Sequence, residues 1–111
     1  AARADVVDLR TIAGNLDITT FTREHNLSAM PDSLNPVDYA SSLATLPQVH
    51  YIASNDKIVT KAISDHYIAA IKMYDPNIAC VQVITIEGIS HAKGWDTFWT
   101  DNQRQQSPAC Q

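Results

Sequence analysis

The stretch VHYIASNDKIV, residues 49–59, decides the fold. Its first five residues form a short apolar run, and a polar turn follows directly, which is the pattern of a buried strand that ends in a loop. The stretch VQVITIEGISH, residues 81–91, repeats the pattern, with six strand-like residues before a turn that holds a glycine. A helix is predicted between the two stretches. Strand, helix, strand is the order that produces a parallel sheet.

The remaining elements extend the same arrangement on both sides. A further strand is predicted at residues 6–13, VVDLRTIA, where Gly14 ends a mostly apolar and β-branched run. An Asn-Pro pair predicts a helix over residues 35–46, because Asn is a good cap and Pro fits the first helical turn. Thr60 is expected to cap the helix between the two stretches, which then runs to about residue 74. A last helix is predicted at residues 92–103, with three aromatic residues close enough to pack together.

These elements predict one α/β domain over residues 1–111, built on a three-stranded parallel sheet with flanking helices. Residues 15–34 are expected to be irregular, and residues 105–111 to form a mobile polar tail. Gln82 is a polar residue in the last strand, which predicts an exposed sheet edge there. The strand at residues 6–13 is apolar like a central strand, although nothing else in the chain need cover its far side. Such an edge favours pairing with another chain.

Composition argues against several classes of protein. The net charge of −4, without any cluster of Lys and Arg, argues against nucleic acid as a partner. No apolar run approaches the roughly 18 residues that span a membrane. Length allows one small domain. Cys80 and Cys110 are the only cysteines, and we expect two unpaired thiols, with a disulfide as the alternative.

His91 is the leading candidate for a catalytic residue. A neutral imidazole near pH 7 takes a proton from a hydroxyl and returns it to a leaving group. It needs a carboxylate at its other ring nitrogen to fix its tautomer and orientation. Asp56 is the expected carboxylate, because both residues follow strands that end at the same edge of the sheet, where ligands bind. The alternative is a turn aspartate and a surface histidine, both common in loops.

Two further residues are alternative candidates for the site. Asp17 follows the first predicted strand and competes with Asp56, although a capping or Asx-turn role is favoured for it. Ser90 is the nearest approach to a nucleophile, because residues 88–92, GISHA, approximate the G-x-S-x-G turn. The last position of that turn is Ala, and no Asp-then-His pair follows it, so no proper nucleophile is predicted. No cofactor or metal site is predicted either, since the other histidines lack ligand spacing. These core or surface histidines are His25, His50 and His66.

Four stretches resemble the C-terminal portion of the α/β-hydrolase superfamily, in particular bacterial serine-hydrolase-like proteins. They are TIAGNLD (residues 11–17), SLNPVDYA (33–40), LPQVHYIASNDKIV (46–59) and GISHAKGW (88–95). The resemblance implies that the three strands match the last three strands of the hydrolase sheet. It implies a cap-like insertion at residues 18–46, and a protein of the bacterial cytoplasm or cell envelope.

The resemblance also implies roles for the candidate residues. Asp56 matches the acid and His91 the histidine of a catalytic triad that hydrolyses an ester or a similar small-molecule acyl substrate. The family's nucleophilic serine and oxyanion-hole amides belong to earlier strands, which this chain lacks. We therefore expect the chain to be inactive alone and to need the N-terminal half of the hydrolase as its partner. The alternative is a non-catalytic α/β module that binds a partner or self-associates through residues 6–13.

Overall fold

The computed structural model describes residues 5–30, 34–91, 94–95, 98–99 and 110. Its strands are β1 (Leu9–Ile12), β2 (Gln48–Ala53) and β3 (Val81–Ile86). They form one parallel sheet in the order β1-β2-β3. The predicted α/β class, with a three-stranded parallel sheet and flanking helices, is confirmed. β3 lies at an edge of this sheet, as the polar residue within it predicted.

The central strand β2 is buried along its whole length. Its near-continuous apolar run is typical of a strand that is covered on both faces. In the register of the sheet, His50 lies opposite Thr11 of β1 and opposite Val83 of β3. Because side chains alternate between the faces of a strand, Gln48, His50 and Ile52 point to one face of the sheet.

In the described part of the chain up to β3, three α-helices accompany the sheet. They are α1 (Ile18–Glu24), α2 (Ala40–Leu43), which follows a 3₁₀ turn at Pro36–Tyr39, and α3 (Lys61–Lys72). The buried face of α3 presents Ile63, Tyr67 and Ile71, each 0% exposed and four residues apart. Burying one such apolar side chain stabilises a fold by roughly 1.5–3 kcal/mol. This stripe therefore fixes α3 against the sheet and α2, in the core that surrounds it.

Aromatic residues from the C-terminal part of the chain contact the other face of the sheet. Phe98 packs edge-on against Tyr51 of β2, with ring centroids 5.0 Å apart, and against Trp95 at 5.5 Å. Trp95, Phe98 and Trp99 are helical. The rest of the helix predicted at residues 92–103 lies outside the described residues. The tail predicted at residues 105–111 also does, except for Cys110.

Several predicted boundaries are wrong. Residues 15–34 were expected to be irregular, yet they contain α1; its β-branched residues are weak helix formers, and tertiary contacts outweigh that local preference. The helix predicted at residues 35–46 begins instead as a 3₁₀ turn. β1 is shorter than the predicted strand at residues 6–13. The helix α3 ends at Lys72 rather than near residue 74, and Tyr74 is 61% exposed.

The expectation of two unpaired cysteines is also wrong. Cys80 and Cys110 form a disulfide, with Cα atoms 4.4 Å apart across 30 residues of sequence. The half-cystine Cys80 is buried directly before β3, so the bond ties the end of the chain to the start of that strand. The low cysteine count favoured free thiols, and the pairing could not be predicted because the distance between the two residues is not encoded in their spacing.

Among the described helices, none combines the length and the apolarity that crossing a bilayer requires.

Candidate active site

Asp56 lies in the loop after β2, at the carboxyl end of the central strand. Its backbone N–H donates to the carbonyl of Ala53 at 3.2 Å, which turns the chain away from the sheet. Its Oδ1 accepts hydrogen bonds from the backbone N–H groups of Ile58 and Val59, both at 2.8 Å. The Asp56 side chain is only 1% exposed. One carboxylate oxygen is thus fully engaged in shaping the loop, and Oδ2 is left for another partner.

That partner is His91, from the loop after β3. Nδ1 of His91 lies 2.8 Å from Oδ2 of Asp56. The chain reaches this position through Gly88, whose φ of 78° is a left-handed conformation that favours glycine. A Cβ on Gly88 would meet nothing within 4 Å, so the requirement is conformational rather than steric. The sequence prediction that the two strand ends bring Asp56 and His91 together agrees with this geometry.

The hydrogen bond to Asp56 favours the tautomer of His91 that general acid–base chemistry needs. An ionised carboxylate only accepts hydrogen bonds, so Nδ1 of His91 carries the proton and Nε2 carries the lone pair. The side chain of His91 is 37% exposed, whereas that of Asp56 is buried. Asp56 is the only partner among the described side-chain hydrogen bonds of His91. The imidazole is therefore oriented by Asp56 and partly exposed to solvent.

No nucleophile completes the site within the described part of the chain. Ser90 adjoins His91 in sequence, and no described hydrogen bond joins its hydroxyl to His91 or to Asp56. The cysteine sulfurs are both consumed in the disulfide. The alternative role of Ser90 thus gains no support from its contacts.

Asp17, the alternative carboxylate, lies at the N-cap of α1. Its side chain accepts from the backbone N–H of Thr20 at 3.1 Å and from the Thr20 hydroxyl at 2.8 Å. That hydroxyl also lies 2.8 Å from Nδ1 of His66 in α3. Burial raises the pKa of Asp17, but the hydrogen bonds from Thr20 and Asn35 and the nearby His66 outweigh it, so the pKa lies below its usual value. The contacts of Asp17 are those of a helix cap, which is the role favoured for it from the sequence. The histidine near its carboxylate is His66 rather than His91.

A buried polar network crosses the core beneath these loops. His50 is 0% exposed; its Nδ1 accepts from the Thr11 hydroxyl at 2.6 Å, and its Nε2 donates to Oε1 of Gln48 at 2.8 Å. The Tyr67 hydroxyl donates to the same oxygen at 2.5 Å, and Nε2 of Gln48 donates to the carbonyl of Leu43. Burial lowers the pKa of His50 to about 4 and raises that of Tyr67 to about 12. His50 is therefore neutral at pH 7, a core residue as the sequence indicated.

A cavity of about 340 Å³ lies beside β1, on the sheet face that α2 and α3 cover. Its wall runs from Leu9 and Thr11 to Gly14 and Asn15 at the carboxyl end of the strand, and Tyr67 also lines it. Among the described residues that line it, none is charged. Sequence reasoning missed this cavity, because it depends on where the 3₁₀ turn and α2 lie above the sheet.

Metal ligands do not cluster in the described ranges: no group of three or more His, Cys, Asp or Glu could hold an ion there. Comparisons with known proteins add no assignment. No protein-family model, no curated protein and no solved structure matches this chain.

Proposed function

We propose that this chain supplies the acid and the histidine of a serine hydrolase that acts on esters or similar acyl compounds. The observation that carries the proposal is the 2.8 Å hydrogen bond between His91 Nδ1 and the buried carboxylate of Asp56. His91 is the general base and then the general acid, and Asp56 holds its tautomer and orientation. The resemblance of residues 11–17, 33–40, 46–59 and 88–95 to the C-terminal portion of α/β-hydrolases supports the same reading.

The nucleophilic serine belongs, in this proposal, to a segment outside the chain. The serine hydroxyl would approach Nε2 of His91, which is the ring atom that carries the lone pair. Attack on the acyl carbon transfers the hydroxyl proton to Nε2, and His91 then passes that proton to the leaving alcohol. The chain alone is expected to lack triad activity. Its partner is the part of the hydrolase that carries the serine.

The cavity beside β1 favours a neutral acyl group. Its wall includes Gly14 and Asn15, which follow β1 at the same carboxyl edge of the sheet as Asp56 and His91. The described part of its wall carries no charged side chain, so it suits an apolar acyl group better than a charged one.

The disulfide bears on the compartment. Disulfides persist mainly in oxidising surroundings, such as the bacterial periplasm or the outside of the cell. Between the two compartments expected from the resemblance, the bond between Cys80 and Cys110 favours the cell envelope over the cytoplasm.

The experiment is to isolate the native protein from its source, together with any polypeptide that accompanies this chain, and to measure hydrolysis of p-nitrophenyl esters. We expect His91→Ala and Asp56→Asn each to lower kcat by about 10⁴-fold, because the first removes the base and the second stabilises the wrong tautomer. His66→Gln is the matched control, since it alters another histidine near a carboxylate, and it should retain the activity. Undiminished hydrolysis by the His91 and Asp56 variants would contradict the proposal.

The edge of β1 favours a second, non-catalytic function. β1 is an edge strand of the described sheet, and Val7, just before it, is 82% exposed. An apolar edge of this kind pairs readily with a strand from another chain. Under this alternative the chain is an assembly module, and light scattering should give a dimer or a larger species that the variant Val7→Lys dissociates. A monomer at millimolar concentration would argue against self-association.

A further inference from the structure

The imidazole of His25 lies at the C-terminal end of α1 and contacts the loop that holds Asp56. Its Nε2 is 2.5 Å from the carbonyl oxygen of Ile58. A carbonyl only accepts hydrogen bonds, so Nε2 of His25 is the donor. The ring also packs on Phe21, one turn earlier in α1, with centroids 4.6 Å apart. His25 therefore has two distinct contacts, a ring contact within α1 and a hydrogen bond to the loop.

One peptide group connects His25 to the Asp56 carboxylate. The carbonyl of Ile58 and the N–H of Val59 belong to the same planar peptide. The carbonyl accepts from His25, and the N–H donates to Oδ1 of Asp56 at 2.8 Å. The other oxygen of Asp56 accepts from His91. Hydrogen bonds in such a chain polarise one another, so donation to the carbonyl strengthens the N–H as a donor.

Besides the bonds to Asp56 Oδ1 and the burial of Val59, the contacts with α1 hold the exposed side of this loop. Ile58 is 48% exposed, so its side chain contributes little buried apolar contact. A second hydrogen bond joins the same end of α1 to this segment: the Thr60 hydroxyl donates to the carboxylate of Glu24 at 2.5 Å. Thr60, expected to cap α3, makes no side-chain cap bond and faces α1 instead. The C-terminal end of α1 thus makes two hydrogen bonds to the segment that leads from Asp56 into α3, one at Ile58 and one at Thr60.

We propose that His25 is a positioning residue: its hydrogen bond to the peptide between Ile58 and Val59 fixes the Asp56 carboxylate and, through it, the orientation of His91. The catalytic consequence rests on the proposed function, whereas the geometry belongs to this chain alone. Among the described residues, the contacts of His25 are with Ile58 and Phe21 and not with His91. His25 acts through the loop.

The test uses two variants of the full chain that separate the two contacts of His25. His25→Phe keeps a ring against Phe21 and loses the donor. His25→Gln loses the ring and keeps an N–H close to the position of Nε2. The readout is the exchange rate of the His91 Nδ1 proton with solvent, measured by NMR at low temperature on ¹⁵N-labelled protein. The variant His66→Gln, which alters the contact at the other end of α1, is the control.

We expect His25→Phe to speed this exchange by about two- to tenfold, the range that one hydrogen bond supplies. We expect His25→Gln and His66→Gln to leave it near the wild-type rate. The reverse order, with exchange fast in the Gln variant and normal in the Phe variant, would assign His25 a packing role only and overturn the proposal. Equal rates in all four proteins would overturn it as well. Both outcomes are measured by proton exchange and not by ester hydrolysis, so a failure of this proposal is distinguishable from a failure of the proposed function.

Discussion

Acidification is expected to destabilise the fold through His50, a residue remote from the candidate catalytic pair. His50 is completely buried, and its two ring nitrogens are both occupied, one by the Thr11 hydroxyl and one by Gln48. A second proton would place a charge in the core, without any carboxylate among the hydrogen-bond partners of the ring. Burial accordingly lowers the pKa of His50 from 6.5 to about 4.

The sign and size of the effect follow from this difference. Between pH 6.5 and pH 4 the unfolded chain binds a proton at His50 and the folded chain does not, so the free energy of unfolding falls as the pH falls. A shift of 2.5 pKa, from 6.5 to about 4, corresponds to about 3 kcal/mol at pH 4. Since small domains are stable by roughly 5–15 kcal/mol in total, this is a large fraction.

The assay is urea unfolding at a series of pH values from 7.5 to 4, for the wild type and for His50→Gln. Glutamine donates as His50 Nε2 does but does not titrate, so its cost should be independent of pH. The other three histidines are present in both proteins, and their contributions cancel in the difference. As the pH falls from 7.5 to 4, the free energy of unfolding of the wild type should therefore fall by about 3 kcal/mol relative to that of His50→Gln. Parallel curves would refute the reasoning.

Three further predictions concern the same stability measurement. Replacing Cys80 and Cys110 by Ala should lower the free energy of unfolding by about 3–4 kcal/mol, because the bond closes a ring across 30 residues of sequence; an unchanged urea midpoint would contradict this. Asp17→Ala should cost about 1 kcal/mol through loss of the α1 cap, while Asp38→Ala, which removes an exposed carboxylate, should cost less than half as much. Tyr67→Phe should lower the free energy of unfolding by about 0.5–1.5 kcal/mol, because it removes the hydrogen bond to Gln48. It should also abolish the loss of stability that the titration of Tyr67 causes as the pH rises from 10 towards 12.

The arrangement of the candidate pair, Asp56 and His91, was predictable because it follows from topology. Asp56 and His91 are 35 residues apart, which leaves room for one helix and one strand between them. Parallel neighbours then bring the two loops to one edge whatever the details of packing. The polar residue Gln82 likewise placed β3 at an edge, since only an exposed strand tolerates it readily. These predictions used chain direction and polarity, which sequence carries directly.

The parts that failed depend on long-range contacts. Three of the seven residues of α1 are Thr, which makes the segment look irregular, yet Asp17 caps it and His66 of α3 contacts the cap. Gln48 is fully buried although its polarity disfavours this, because its side chain bonds to three groups, the Leu43 carbonyl, the His50 ring and the Tyr67 hydroxyl. The disulfide needs two Cα atoms to meet across 30 residues. None of these long-range contacts produces a periodic pattern in the sequence from which it could be predicted.

The bond between Cys80 and Cys110 has a topological consequence. It places β3 and His91 on a covalent ring, so a single protease cut anywhere between the two cysteines opens the ring without releasing a fragment. A preparation nicked in this way would migrate as one band without reducing agent and as two bands with it. The histidine of the candidate site would remain attached to the rest of the molecule after the cut.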